Sequence, residues 1–125
     1  MGNRAVIVSS DTTRENKHHK IGIYLHSAGD IEDISSFLEE AKQRKIRSLK
    51  QDESYFWARF IQTVADLVTE YLRTSNHRYG LESNPYELSV GVGIVDTLDC
   101  NNGDNGVYYI DDNFEIVRHT DGQEL

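Results

Sequence analysis

A chain of 125 residues with a formal net charge of −8, 38% hydrophobic and 27% charged, has the make-up of one folded domain rather than of a disordered segment. Its acidity opposes contact with the phosphate rails of nucleic acid, which argues against DNA as a partner. No apolar run approaches the roughly 18 residues of a membrane helix, and the single cysteine, Cys100, leaves no intramolecular disulfide framework and fits a reducing cytoplasm.

Residues 1–10, MGNRAVIVSS, hold too short an apolar run for a signal peptide, and Val6 stands where a myristoylation motif needs Ser or Thr. Residues 5–8 form a β-branched run and predict a first strand. Residues 9–20 are polar and read as a loop, and 21–26 alternate as a second strand. Ser27-Ala28-Gly29-Asp30 breaks that strand, and a helix follows with Asp30 or Asp33 as its cap. Ile31, Ile34, Phe37, Leu38 and Ala41 share one helical face, and this helix ends near Lys45.

A longer helix starts around Asp52 and runs to residues 74–76, with Phe56, Phe60, Ile61, Val64, Leu67, Val68 and Tyr71 in helical period. Gly80, Ser83, Asn84 and Pro85 bar its continuation. Residues 88–95, 107–110 and 114–117 read as a three-strand meander, with Asp111-Asp112-Asn113 as the last tight turn. The expectation is a single α+β domain over residues 1–125. It has a small antiparallel β-sheet, two helices packed on one face and the order β-β-α-α-β-β-β.

Several chemistries can be tested on spacing. The Asp/Asn-rich stretch from Asp99 places Gly103 and Ile110 where a calcium loop needs ligands. Gly91-Val92-Gly93 lacks the third glycine and the helix of a dinucleotide site. Five histidines and one cysteine make no zinc pattern. Cys100 with His26 or His119 as base is outweighed by a small residue at a strand end, and the carboxylate pairs Asp96/Asp99 and Asp111/Asp112 lie in turns. No catalytic residue, metal or cofactor is expected.

A binding rim remains. Residues 101–106, Asn-Asn-Gly-Asp-Asn-Gly, contain more turn-formers than a hairpin requires. Asn101, Asn102 and Asp104 can pair with hydroxyls, and Gly103 lets the backbone approach a ligand. Tyr108 and Tyr109 follow the turn, and Arg118, His119 and Thr120 end the last strand. That end and the turn are expected at opposite ends of the hairpin unless 118–120 runs past the turn, so that a shared pocket calls for a subunit interface. Thr97 meets the turn if 88–96 pairs with 107–110. Arg59 emerges beside Trp57 at a helix edge within reach of an anion. A plain hairpin with core tyrosines is the simpler alternative. The basic stretch AKQRKIRSLK, residues 41–50, is either a solvated helix end or a local anion site.

The segments GNRAVIV, IGIYLH with its glycine-containing break, the helix carrying WAR, and LDCNNGDNGVYYI followed by EIV resemble the first-described anti-Thoeris sponge family of small phage and prophage proteins. The resemblance covers most of the chain, and GNRAVI and DCxNGDNG carry its specificity. It implies a homo-oligomeric, non-enzymatic protein of the host bacterial cytoplasm. Such a protein sequesters a cyclic ADP-ribose second messenger without cleaving it, and some members also hold cyclic trinucleotides at separate positions. It makes Asn102 and Asp104 ribose or base-edge contacts and Arg118 a stacking or phosphate contact. Arg59, Thr97 and Thr120 are weaker candidates, for the trinucleotide position. The family often carries an arginine after the glycine break where this chain has Asp30, which removes one phosphate contact. Two other classes stay open: a protein-binding inhibitor of host defence acting through its acidic surface, and a small nucleotide hydrolase with an aspartate of 96–112 as base.

Overall fold

The computed structural model describes residues 4–26, 28–75, 91–96 and 104–121. Its strands are β1 (Ala5–Ser9), β2 (Ile21–Leu25), β3 (Val92–Asp96), β4 (Val107–Ile110) and β5 (Ile116–Thr120), and its long helices are α1 (Ile31–Gln43) and α2 (Glu53–Ser75). The α+β class and the element order agree with the reading of the sequence, and a short 3₁₀ helix at Lys17–His19 adds order to the 9–20 loop.

The sheet corrects the expected pairing. Its spatial order is β3-β2-β1-β4-β5. Three pairings are antiparallel, but β1 and β4 run parallel, with Val6 opposite Val107 and Ser9 opposite Ile110. The sheet is therefore mixed, and no meander joins β3 to β4, because β3 pairs with the outer edge of β2. The reason lies in burial. Every residue of β1 is buried, so this strand needs a neighbour on each side and cover on both faces, as uninterrupted β-branched runs do. β4, equally buried, takes the remaining side of β1, and β3 is left with β2.

The two faces differ. On one, Ala5, Ile7, Ile23, Leu25, Tyr108 and Ile110 pack against Ile34, Phe37, Leu38 and Ala41 of α1 and Phe56, Trp57, Phe60 and Val64 of α2. The rings of Phe56 and Phe60 stack 5.5 Å apart, and Trp57 meets Phe56 edge-on at 5.0 Å. Aromatic pairs of this kind add about 0.5–1.5 kcal/mol to their burial. Trp57 is a core residue. The opposite face carries a smaller group, Val6, Val8, Val107 and Tyr109, with Tyr24 at its margin.

Local chemistry sets the element ends. Asp52 caps α2 by accepting the Tyr55 N–H at 3.1 Å, satisfying one unpaired donor of the first turn. Asp30 occupies the corresponding position before α1, but its side chain makes no capping bond. Lys45, just beyond α1, adopts φ 58°, the left-handed conformation of many helix ends. Between β4 and β5, Asp111 accepts the N–H groups of Asn113 and Glu115 at 2.9 and 3.0 Å. Phe114 turns at φ 62° and packs its ring 5.7 Å from that of Phe56. Phe114 thus belongs to the turn and core rather than to β5, which starts two residues later than its apolar pattern suggests and runs on to Thr120.

Candidate ligand-binding site

The strand register places the starts of β1 and β4 and the ends of β2 and β5 at one end of the sheet. Ala5 lies opposite Leu25, Val6 opposite Val107, and Val107 opposite Thr120. Arg4, His26, the turn 104–106 and Thr120 therefore border a common edge. Across neighbouring strands about 4.8 Å apart, such an edge spans roughly 14 Å from β2 to β5. Residues 118–120 pair antiparallel with 109–107, so they lie beside the turn and not, as expected, at the far end from it.

Each described residue of the turn has a fixed job. Asp104 Oδ2 accepts the Arg4 backbone N–H at 3.0 Å and Arg4 Nε–H at 3.2 Å. Those bonds hold the Asp104 carboxyl below its usual range and raise the Arg4 guanidinium, with Tyr24 adding a smaller contribution to Arg4. The Asn105 N–H donates to the Arg4 carbonyl at 2.9 Å, and the Val6 N–H to that of Gly106 at 3.0 Å. Gly106 has φ 69°, and a Cβ there would lie 2.1 Å from the Thr120 carbonyl oxygen. Only glycine combines that conformation with so close a strand. Hence the turn needs Asp104, Asn105 and Gly106: they fasten β4 to β1 on one side and admit β5 on the other.

Alternation sorts the neighbours by face. Arg118 and Thr120 share the face opposite α1 and α2 with Tyr109 and Val107, and the Arg118 guanidinium carbon sits 4.9 Å above the Tyr109 ring centroid. His119 lies on the helical face, where its ring stacks on Tyr108 at 4.1 Å and its Nε2 bonds the Asn105 carbonyl. The buried Tyr108 hydroxyl donates to the Gly29 carbonyl at 2.8 Å. That bond ties the break before α1 to the same sheet end. Burial, then the carboxylates of Asp30, Glu32 and Asp33, pushes the Tyr108 phenol up, and Asp33 is itself raised by burial and by Asp30 and Glu32. This first turn of α1 thus gathers three carboxylates, which disfavours an anion beside it.

The structure thus gathers Asp104, Arg118 and Thr120 on one border, while Arg59 stands apart. Arg59 lies on α2, across the sheet, with its Nη groups on Gln62 Oε1 and the Tyr55 hydroxyl, both at 3.0 Å. Asn101, Asn102, Gly103, Thr97 and Cys100 lie outside the described residues. Thr97 cannot meet the turn through a β3–β4 pairing, since β2 and β1 separate those strands. Part of the basic stretch is engaged in structure, through two arginine side chains and one lysine backbone N–H. Arg44 bridges Glu40 and Asp66, Arg47 pairs with Asp52, and the Lys50 N–H donates to Asp112.

Three residues at this sheet end escaped the reading of the sequence as ligand contacts: Arg4, Tyr24 and His26. Their signal is positional, since Arg4 precedes β1 and His26 follows β2 by one residue, both inside segments that carry the resemblance. Two hollows among the described residues lie elsewhere. One, of about 300 Å³, sits beside Lys20 and Trp57, and another, of about 390 Å³, lies between α1 and Phe114. Among the described residues, no cluster of three His, Cys, Asp or Glu side chains can hold a metal, and no helix is long and apolar enough to cross a membrane. The chain matches no family model, no curated protein and no solved structure.

Proposed function

We propose that this protein binds and sequesters a small nucleotide signal of the cyclic ADP-ribose type without breaking a bond in it, so that host anti-phage signalling is blocked. The observation that carries this reading is the border of the face opposite α1 and α2. An ionised carboxylate at Asp104, a guanidinium seated on an aromatic ring at Arg118 and Tyr109, and the hydroxyl-bearing Thr120 stand at one sheet end. A carboxylate accepts ribose hydroxyls, and a guanidinium takes a phosphate or stacks on a base. The resemblance in GNRAVI and DCxNGDNG runs through these segments. In this reading a second copy of the chain closes the open border, as the homo-oligomers of the resembling family would, and the acidic body keeps nucleic acid away.

The test is recovery. The protein is mixed with cyclic ADP-ribose isomers, separated from free nucleotide and heat-denatured, and the released material is weighed by mass spectrometry. Intact nucleotide is the expected product. Linear ADP-ribose would identify a hydrolase instead, and absence of any retained nucleotide would overturn the reading. Arg118→Ala should weaken binding about tenfold, the equivalent of ~1.4 kcal/mol, with little change in thermal stability because the side chain is exposed.

A further inference from the structure

We propose that Arg4, Tyr24 and His26 form a phosphate-binding subsite beside Asp104, with Arg4 Nη and His26 Nε2 as the donors. The inference rests on the reading of this border as a nucleotide site and adds to it the element that takes the anion.

The geometry begins with Tyr24, whose hydroxyl lies 2.9 Å from His26 Nδ1. Tyr24 and Val6 are register partners, and Leu25 is opposite Ala5, so His26 and Arg4 are neighbours on adjacent strands. A phenol is a good donor and a neutral imidazole nitrogen a good acceptor. With the hydroxyl proton given to Nδ1, His26 carries its own proton on Nε2. That nitrogen has no partner among the described residues, and His26 is exposed. The His26 backbone is fixed as well, its N–H donating to the Gly91 carbonyl at 2.8 Å.

Arg4 is anchored differently. Its Nε–H and backbone N–H both reach Asp104 Oδ2, which aims the guanidinium, and the Tyr24 side chain also acts on it; with five N–H donors, the group keeps Nη protons for a further acceptor. One guanidinium edge and one imidazole N–H, on adjacent strands, suit the oxygens of a phosphate. Asp104 Oδ1, which accepts no bond among the described residues, is left for the hydroxyl of the adjoining sugar. The ligand unit that satisfies all three is a phosphorylated ribose. Arg4 alone would be nearly neutralised by Asp104; the imidazole supplies the second donor.

The experiment titrates wild type, His26→Ala, His26→Gln and Tyr24→Phe with cyclic ADP-ribose, inorganic pyrophosphate and adenosine, by calorimetry, with a thermal melt of each variant. His26→Ala should weaken cyclic ADP-ribose and pyrophosphate about tenfold, as for a lost hydrogen bond to a charged group, and leave adenosine unchanged. His26→Gln keeps an N–H donor and should recover most of the affinity. Tyr24→Phe frees the tautomer and should cost a few-fold. Melting temperatures should stay together.

If the histidine and tyrosine variants bind cyclic ADP-ribose like wild type while Arg118→Ala does not, the subsite falls and the sequestering function stands. If pyrophosphate binds in a His26-dependent way but no nucleotide does, the subsite stands and that function falls. Equal losses for adenosine and for the phosphorylated ligands, or losses that track falling stability, overturn the phosphate assignment.

Discussion

On the helical side of the sheet, fourteen buried residues from three strands and both helices make one continuous core. On the other side, four buried residues make a strip bordered by Arg4, Asp104, Arg118 and Thr120. The first face is filled by large aromatic rings and aliphatic side chains, and its polar groups include the Tyr108 phenol, bonded to a backbone carbonyl, and the Trp57 indole N–H, which donates to Glu53. The second is narrow, and its edge is made of charged and hydroxyl groups. The difference separates two tasks in the proposed reading of this small domain: one face stabilises the fold, and the border of the other meets the ligand.

Phe60→Ala attacks the first face. Phe60 is wholly buried in the middle of the ring stack, and its truncation should lower unfolding free energy by about 3–5 kcal/mol, measured by urea denaturation. Whatever remains folded should bind nucleotide normally. Gly106→Ala strikes the junction of the two tasks. The new Cβ would collide with the Thr120 carbonyl, so stability should fall by about 1–3 kcal/mol and binding should fall by more than the unfolded fraction accounts for. A Gly106→Ala protein of unchanged affinity would show that the turn and β5 do not act together.

Tyr108→Phe removes a polar bond that crosses the core. The Gly29 carbonyl loses its donor, and stability should drop by about 1–2 kcal/mol. Because that bond also fixes the approach to α1, hydrogen exchange at residues 28–31 should rise while exchange in α2 stays unchanged. The smallest effect concerns the Arg4–Asp104 pair. Its carboxyl is depressed below the ordinary 3.8 by the two Arg4 hydrogen bonds, so its contribution is present above about pH 4 and is lost as pH falls through the lowered value. Asp104→Asn should slightly flatten the acid limb of stability against pH and leave the profile above pH 5 unchanged. The pair is exposed, so the change is modest.

The elements themselves were legible. Ile34, Phe37, Leu38 and Ala41 are buried where their period puts them, whereas Ile31 of the same repeat and Tyr71 of the α2 repeat are exposed near helix ends, and Asp52 caps α2 as its position before the apolar repeat indicates. β4 matches its expected limits residue for residue. Phe114 misled, because an apolar residue beside a turn looks the same whether it extends a strand or plugs a core. At the proposed site, Asp104, Arg118 and Thr120 could each be picked out one by one, since turn chemistry and strand ends are local features. Their meeting could not, for it depends on the register in which β5 returns along β4. Arg4 and His26, more than one sixth of the chain apart in sequence, become neighbours only through the register of β1 with β2.

Spacing along the chain determined where helices and strands form, which helical residues turn inward, and that the surface is acidic, because each of these depends on a residue and its near neighbours. Only the tertiary structure decided that β4 joins β1 in parallel, that β3 goes to the far edge, and that Arg4, Tyr24, His26, Asp104 and Arg118 surround one sheet end. Strand partners are chosen by burying two faces at once, a condition on the whole chain that no local repeat encodes.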